Sequence, residues 1–367
     1  MKNIRFRQLD ALRGVFALMV ILIHFPLKNS VWTDNFLVRQ SDMFVDFFFV
    51  LSGFVISYNY FNKITGFKSY YHYLKKRFLR LYPLLFYSVL LYLIFLLIFN
   101  EYFPQYINRP ESPKMLLFLT LDSLTFMNST IVFSPNLGMN YPSWSISAEM
   151  ISYVIFGLTA LFFGPNKKYI FLISLLFSAS FLFLKRNYMM EGDWGFVRGI
   201  VCFNTGIFTF LAYNRYNSIV LNKYLEYLIP FILLLLFYCK WQLIGFQREV
   251  FTLLTIPIFF GSSIFIYALS KGFFVRVLLN NYFQFIGRIS YSIYLNHGLV
   301  LILVTKIYFN VFKIPHTEFN ILVSIILSFI ATIFYSHFTY KYIELKGMNL
   351  YTKREIASNK PQINSKY

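Results

Sequence analysis

The chain has 367 residues, 57% of them hydrophobic and 13% charged. A soluble domain carries about a quarter charged residues, so there is too little polar surface here to cover a water-soluble core. The formal net charge is +19. The Lys and Arg lie between apolar stretches rather than on one polar face, which argues against a nucleic-acid partner and for the positive-inside bias of membrane proteins.

Apolar stretches of about twenty residues, enough to cross a bilayer core of about 30 Å, recur along the chain. The predicted spans are 11–30, 42–61, 81–99, 144–163, 169–185, 197–213, 225–240, 250–270, 289–309 and 319–342. The expected fold is therefore all-α, a polytopic bundle of ten transmembrane helices embedded in membrane lipid. The N-terminus is basic and then apolar, like a signal peptide, but no small-residue cleavage site follows; His24, Pro26 and Lys28 come instead, so a retained first helix is expected. Stretch 115–133 is also apolar, yet it contains Asp122 and Asn128. It reads either as an eleventh span or as a helix at the interface. Charge separates the two: with ten spans and the N-terminus inside, 23 of the 34 Lys and Arg are cytosolic and 11 are not. If 115–133 also spans, the division is 17 and 17 and the asymmetry vanishes. Ten spans with both termini cytosolic, in the inner membrane, is the expectation.

No internal repeat is visible, which argues against a repeat-built transporter. Residues 1–344 read as one membrane domain, and 345–367, with Lys346, Lys353, Arg354, Lys360 and Lys366, as a short basic cytosolic tail. Two cysteines, Cys202 and Cys239, make neither a disulfide framework nor a metal site, and no metal is expected.

Ionisable residues within apolar spans cost roughly 2.5–3.5 kcal/mol each on insertion scales, which makes each a functional candidate. The first span holds Asp10, Arg13 and His24. Arg13 and His24 are eleven residues apart, nearly three helical turns, so they share a face with a rise of roughly 16 Å between them. The bland readings are a snorkelling anchor for Arg13 and a hydrogen bond to a backbone carbonyl for His24. Asp46 and Glu149 fall at a depth similar to that of His24. A histidine oriented by a carboxylate in a low-dielectric site is a general-base arrangement, and its structural counterpart is a hydrogen-bond network that only fixes packing. Between the second and third spans, Lys75, Lys76, Arg77 and Arg80 form a basic segment. The lysines read as positive-inside charge; Arg77 and Arg80, three apart, can share a helix face and bind phosphate. Trp144 and the aromatic clusters read as interface anchors and core. His72, His316 and His337 match no pattern.

Read together, five segments resemble the acyltransferase family 3 membrane proteins, bacterial O-acyltransferases of cell-surface glycans. They are Leu9-Asp10-Ala11-Leu12-Arg13-Gly14 followed by His24, Val45-Asp46-Phe47-Phe48-Phe49-Val50-Leu51-Ser52-Gly53-Phe54, Arg77-Phe78-Leu79-Arg80, Ser143-Trp144-Ser145-Ile146-Ser147-Ala148-Glu149, and Ser290-Tyr291-Ser292-Ile293-Tyr294-Leu295-Asn296-His297. They run in the family's order over most of the membrane domain. Each alone is weak, and five in order are specific.

The resemblance implies about ten spans and acyl-CoA, in the first instance acetyl-CoA, as donor. It implies a catalytic role for His24 supported by Arg13, and donor binding by Arg77 and Arg80. One departure is visible: family members often carry a second acidic residue after the Glu, where Met150 stands here. Some also carry a large extracytoplasmic domain after the membrane part, and none is expected in these 367 residues. The expected mechanism brings acyl-CoA from the cytosol, its phosphates on Arg77 and Arg80 and Arg13 near the entrance. His24 then acts as base towards an acceptor hydroxyl, oriented by Glu149 or Asp46, or carries the acyl group covalently. Acceptors in keeping with the resemblance are a lipid-linked sugar, an O-antigen, capsule or exopolysaccharide unit, or an antibiotic. His297 reads as a helper or a structural hydrogen-bonder. The rival classes are a glycan exporter or flippase without acyl chemistry, and a sensor or scaffold. A transporter has no evident need for a phosphate clamp aligned with a deep imidazole.

Overall fold

The computed structural model describes residues 5–27, 29–103, 111–133 and 137–350. Among these residues the regular structure is helical throughout and contains no strand. The helices are α1 (Arg7–Ile23), short α2 (Phe36–Arg39), α3 (Phe44–Tyr60), α4 (Phe67–Tyr102), α5 (Pro113–Leu124), α6 (Trp144–Phe163), α7 (Lys167–Lys185), α8 (Gly195–Tyr216), α9 (Leu225–Gln242), α10 (Gly245–Leu269), short α11 (Phe273–Leu278), α12 (Asn281–Thr305) and α13 (Glu318–Thr339).

Eight helical segments among the described residues are long and apolar enough to cross a membrane. One of them, Tyr141–Lys185, is broken at Gly164-Pro165-Asn166 into α6 and α7. At 17 residues α1 is about 25 Å long and falls short of that length. At 12 residues α5 is about 18 Å long, well short of a bilayer core, and residues 125–133 continue it as turns rather than helix.

Three local corrections bear on the site. The first helix ends at Ile23 instead of running on to residue 30. Pro26 lacks an amide hydrogen, and its ring opposes the carbonyl four residues back, so the helix cannot pass it. His24 therefore caps the C-terminus of α1 rather than lying well inside a span. The third helix begins far earlier than residue 81: α4 takes in 67–80, so Lys75, Lys76, Arg77 and Arg80 are helical and not in a loop. Hydropathy marks the membrane-crossing part of a helix and is blind to a polar extension of it. Finally, α13 continues as a π-type stretch over Tyr340–Glu344 and as helix through Leu350, past the boundary read at residue 344. Gly347 there lies against Pro83 and the Leu79 carbonyl of α4, which brings this end of α13 to the cavity described below.

The centre of the bundle is built on two close helix crossings. A Cβ on Gly14 of α1 would stand 2.6 Å from the Gly287 nitrogen of α12, so these backbones meet with nothing between them. Gly53 of α3 and Gly206 of α8 make the same kind of contact, with Phe203 O and Val50 O respectively. Small residues let helices in lipid gain van der Waals contact and hold register. α3, α8 and α12 are the most enclosed helices, while α4, α9 and α13 turn much of their surface outward.

Candidate active site

A cavity of about 580 Å³ opens between α1, α3, α4, α6, α12 and the continuation of α13. Seven Lys and Arg line it against three carboxylates, so it attracts anions. The cations fall into two tiers. Arg5, Lys63, Lys76 and Arg288 are exposed, while Arg13 and Arg80 are half-buried and Arg77 is buried. Arg77 and Arg80 stand on one face of α4 because they are three residues apart. The guanidinium of Arg77 lies over the Tyr60 ring, 5.4 Å from its centroid, and Nη2 donates to the Tyr60 hydroxyl at 3.4 Å. Its Nε is buried and has no partner among the described residues. A buried donor without an acceptor is costly, and an anionic ligand would satisfy it.

Arg13 is held more firmly. Its Nε donates to Ser290 Oγ at 2.8 Å and Nη2 to the Gly287 carbonyl at 3.3 Å, and it pairs with Asp10 at 3.3 Å. It thus braces the α1–α12 crossing as well as lining the cavity. Glu149 Oε1 accepts from Ser52 Oγ and from the Tyr153 hydroxyl. Glu344 accepts from Ser292 Oγ at 2.7 Å.

At its deep end the cavity stops at Phe48 on α3, Ser145 on α6 and Tyr294 on α12, while on α1 its lining goes no deeper than Arg13. One turn beyond that floor, a rise of about 4.5 Å along α12, is His297. Its Nε2 lies 3.1 Å from His24 Nδ1, across 273 residues of sequence. The backbone determines the proton positions of this pair. His24 Nδ1 is 3.0 Å from the Val20 carbonyl and His297 Nδ1 is 2.7 Å from the Tyr294 carbonyl. Carbonyls only accept, so both Nδ1 atoms carry hydrogen. In the neutral pair His297 Nε2 then accepts from His24 Nδ1–H, and the lone pair of His24 is on Nε2. Tyr141 packs on the His24 ring at 4.8 Å and meets the edge of His297 at 5.9 Å.

The two carboxylates expected beside His24 are engaged elsewhere. Asp46 is fully buried and accepts two hydrogen bonds from Arg198 of α8, at 2.7 and 3.1 Å. Arg198 is itself clasped between Trp144 and Tyr188, 5.6 and 5.5 Å from the ring centroids. Glu149 lines the cation cavity, one turn of α6 from Ser145 towards the basic end. A carboxylate in a low-dielectric interior goes to the nearest cation or hydroxyl donors, and α8 supplies the cation to Asp46. An imidazole, His297, occupies the place beside His24 that a carboxylate was expected to fill. In the loop between α7 and α8, burial pushes the Glu191 carboxyl above its ordinary range, Arg198 pulls it back, and Asp42 and Asp46 add to the rise. Both thiols are free, with Cys202 buried against Asp46 and Tyr188. Among the described residues no group of three His, Cys, Asp or Glu side chains is placed to hold a metal ion.

A family model described as an acyltransferase domain matches residues 6–340. The chain belongs to acyltransferase family 3. It is also similar to a protein of Rhizobium radiobacter named Protein 2 in picA locus, with 32% identity over 157 residues, which are 40% of this chain and 78% of that protein. No solved structure matches. This membrane acyltransferase therefore has a cationic cavity ending one turn from a histidine pair.

Several residues of this candidate site were not singled out by the sequence. Arg198 is a lone cation at the edge of the predicted 197–213 span, the same signal that draws attention to Asp46, but a cation at a span end also reads as an ordinary interface anchor. Glu344 fell at the boundary between membrane domain and tail. Ser145, Tyr141 and Tyr294 carry no charge and no period that separates them from packing aromatics and helix serines.

Proposed function

We propose that this acyltransferase moves an acyl group, acetyl in the simplest case, from acyl-CoA onto a hydroxyl of a cell-surface or lipid-linked glycan. In this reading it sits in the inner membrane with ten spans and both termini in the cytosol, and the basic end of the bundle is the cytosolic end. The observation that carries the proposal is that the anion-attracting cavity has its floor at Tyr294, one turn of α12 short of His297, which pairs with His24. Arg77 and Arg80 take the phosphates of the donor, the unpartnered Nε of Arg77 being available to an anion. Arg13 and Glu149 shape the wall along which the pantetheine arm reaches the floor at Tyr294.

His24 Nε2 accepts the proton of the acceptor hydroxyl as its oxygen attacks the thioester carbonyl. The imidazolium that forms keeps Nδ1–H on the Val20 carbonyl and on His297 Nε2, so the positive charge is stabilised by two acceptors already in place. The Tyr294 carbonyl, by holding His297 Nδ1–H, keeps His297 Nε2 an acceptor. Asp46 acts at a distance in this scheme, through the packing of α3 on α8.

The test is transfer of radiolabelled acetyl from acetyl-CoA into membrane glycan by cells expressing wild type, His24→Ala or Arg77→Ala at matched levels. Label in the wild type, its loss in His24→Ala and its reduction in Arg77→Ala is the expected result. Label unaffected by His24→Ala removes the base, and no label in any strain moves the assignment to another donor or to glycan transport.

A further inference from the structure

Two polar side chains stand at the deep end of the cavity, Ser145 on α6 and Tyr294 on α12. Ser145 Oγ donates to the Tyr294 hydroxyl oxygen at 2.9 Å; the other acceptor within its reach, the Pro142 carbonyl, is farther at 3.2 Å. A phenol oxygen that accepts a hydrogen bond keeps its own proton for a further partner. Among the described residues no protein acceptor takes that proton, and the side chain borders the cavity. The ring is fixed edge-on against Phe48 at 5.7 Å and against His297 at 5.8 Å. The backbone carbonyl of the same residue receives His297 Nδ1–H. One residue thus presents a hydroxyl to the end of the cavity and orients the histidine pair a turn further on.

Resting on the acyl-CoA reading above, we infer that Tyr294 is a catalytic residue whose hydroxyl donates to the thioester carbonyl oxygen, with Ser145 as the residue that positions it. The step balances as follows. The acceptor oxygen forms a bond to the carbonyl carbon while its proton passes to His24 Nε2. The carbonyl π electrons move onto oxygen, and the Tyr294 hydrogen bond stabilises the resulting oxyanion. Collapse of that intermediate restores the carbonyl and breaks the carbon–sulfur bond. The thiolate leaves with the proton from His24 as the free thiol of CoA, and the product is the ester. A donor aimed at a developing oxyanion is typically worth about 10²–10³ in turnover.

The experiment has two arms. In the first, membranes from source cells lacking their own copy and expressing each variant are given radiolabelled acetyl-CoA, with native glycan as acceptor. Tyr294→Phe keeps the ring and its packing, and is expected to lower kcat about 10²–10³-fold while KM for acetyl-CoA stays within about threefold. Ser145→Ala is expected to lower kcat several-fold. A Tyr294→Phe enzyme with kcat near wild type, or one altered only in KM, overturns the inference. The second arm reads the bond directly and needs no acceptor. Carbonyl-labelled ¹³C-acetyl-CoA bound to His24→Ala protein in detergent should show a thioester stretch lowered from its value in buffer, and the lowering should be lost in His24→Ala/Tyr294→Phe. A stretch equal to that in buffer overturns the role of Tyr294 even if Tyr294→Phe does not fold. Failure of His24→Ala protein to bind acetyl-CoA at all would instead strike the donor reading, and the role of Tyr294 with it.

Discussion

The Asp46–Arg198 pair supplies the sharpest test of how the packing of α3 on α8 is held. Both side chains are 0% exposed, so Arg198→Met strands a carboxylate that has lost two hydrogen bonds and has no water to replace them. Breaking a buried ion pair on one side costs about 3–5 kcal/mol, and the contacts of Arg198 with Trp144 and Tyr188 are lost as well. Replacing both partners by apolar residues of similar volume is often neutral. Arg198→Met should therefore be strongly destabilised, and Asp46→Leu/Arg198→Met should lie within about 1 kcal/mol of the parent. Cys202 gives a local probe, since its sulfur lies 3.5 Å from Asp46 Oδ1 and is buried. In a Cys239→Ser background, maleimide labelling of Cys202 in detergent reports opening of this region. At about 1.4 kcal/mol per factor of ten, Arg198→Met should label at least about a hundredfold faster than its parent, and the double variant within about tenfold of it. The double variant should also retain acyl transfer, because Asp46 serves packing rather than His24. Parental labelling by Arg198→Met would refute the energetic argument. A double variant that is closed to maleimide yet inactive would return Asp46 to the catalytic chemistry.

Other expectations follow from the same geometry. His297→Ala removes the acceptor of His24 Nδ1–H and should lower kcat about 10–100-fold, with His297→Gln recovering part of the loss because an amide can accept and donate at similar positions; steady-state kinetics separate this from donor binding. Arg77→Lys should raise KM for acyl-CoA about tenfold, almost as much as Arg77→Ala, since an ammonium has neither the Nε donor nor the flat face stacked on Tyr60. Gly287→Val places a Cβ 2.5 Å from the Asp10 carbonyl and must push α1 off α12, at a cost of about 1–3 kcal/mol or more, visible as a lower melting temperature in detergent. Gly66→Ala is the control: its φ is −172°, a Cβ there meets nothing within 4 Å, and the melting temperature should not change.

Much of this protein could be read locally. Low charge with recurring apolar stretches is a property of segments, and hydrophobic length in lipid dictates helix because every backbone group must find its partner within the segment. The same local logic placed α6 at 144–163, the boundaries it has in the structure. It also singled out Arg13, His24, Arg77 and Arg80, since ionisable groups in or beside apolar runs are conspicuous. Pro26 could have ended α1 on paper as it does in space, and the polar start of α4 stayed hidden because hydropathy measures lipid contact rather than helix.

Partnership was not legible in this way. His24 meets His297 across 273 residues and Asp46 meets Arg198 across 152. Those meetings depend on which helices cross at their glycines and on how each is rotated about its axis. Depth along a span can be counted from sequence, and by that count Asp46 and Glu149 belonged near His24. The direction in which a side chain points is decided by packing between helices, and packing sent Asp46 to α8, Glu149 into the cation cavity and a second imidazole to His24. The sequence by itself thus determined that the chain is a membrane helix bundle carrying the marks of an acyltransferase. Tertiary structure decided which of its charges neutralise one another and which face the cavity, because burial energy in lipid depends on the neighbours a side chain finds.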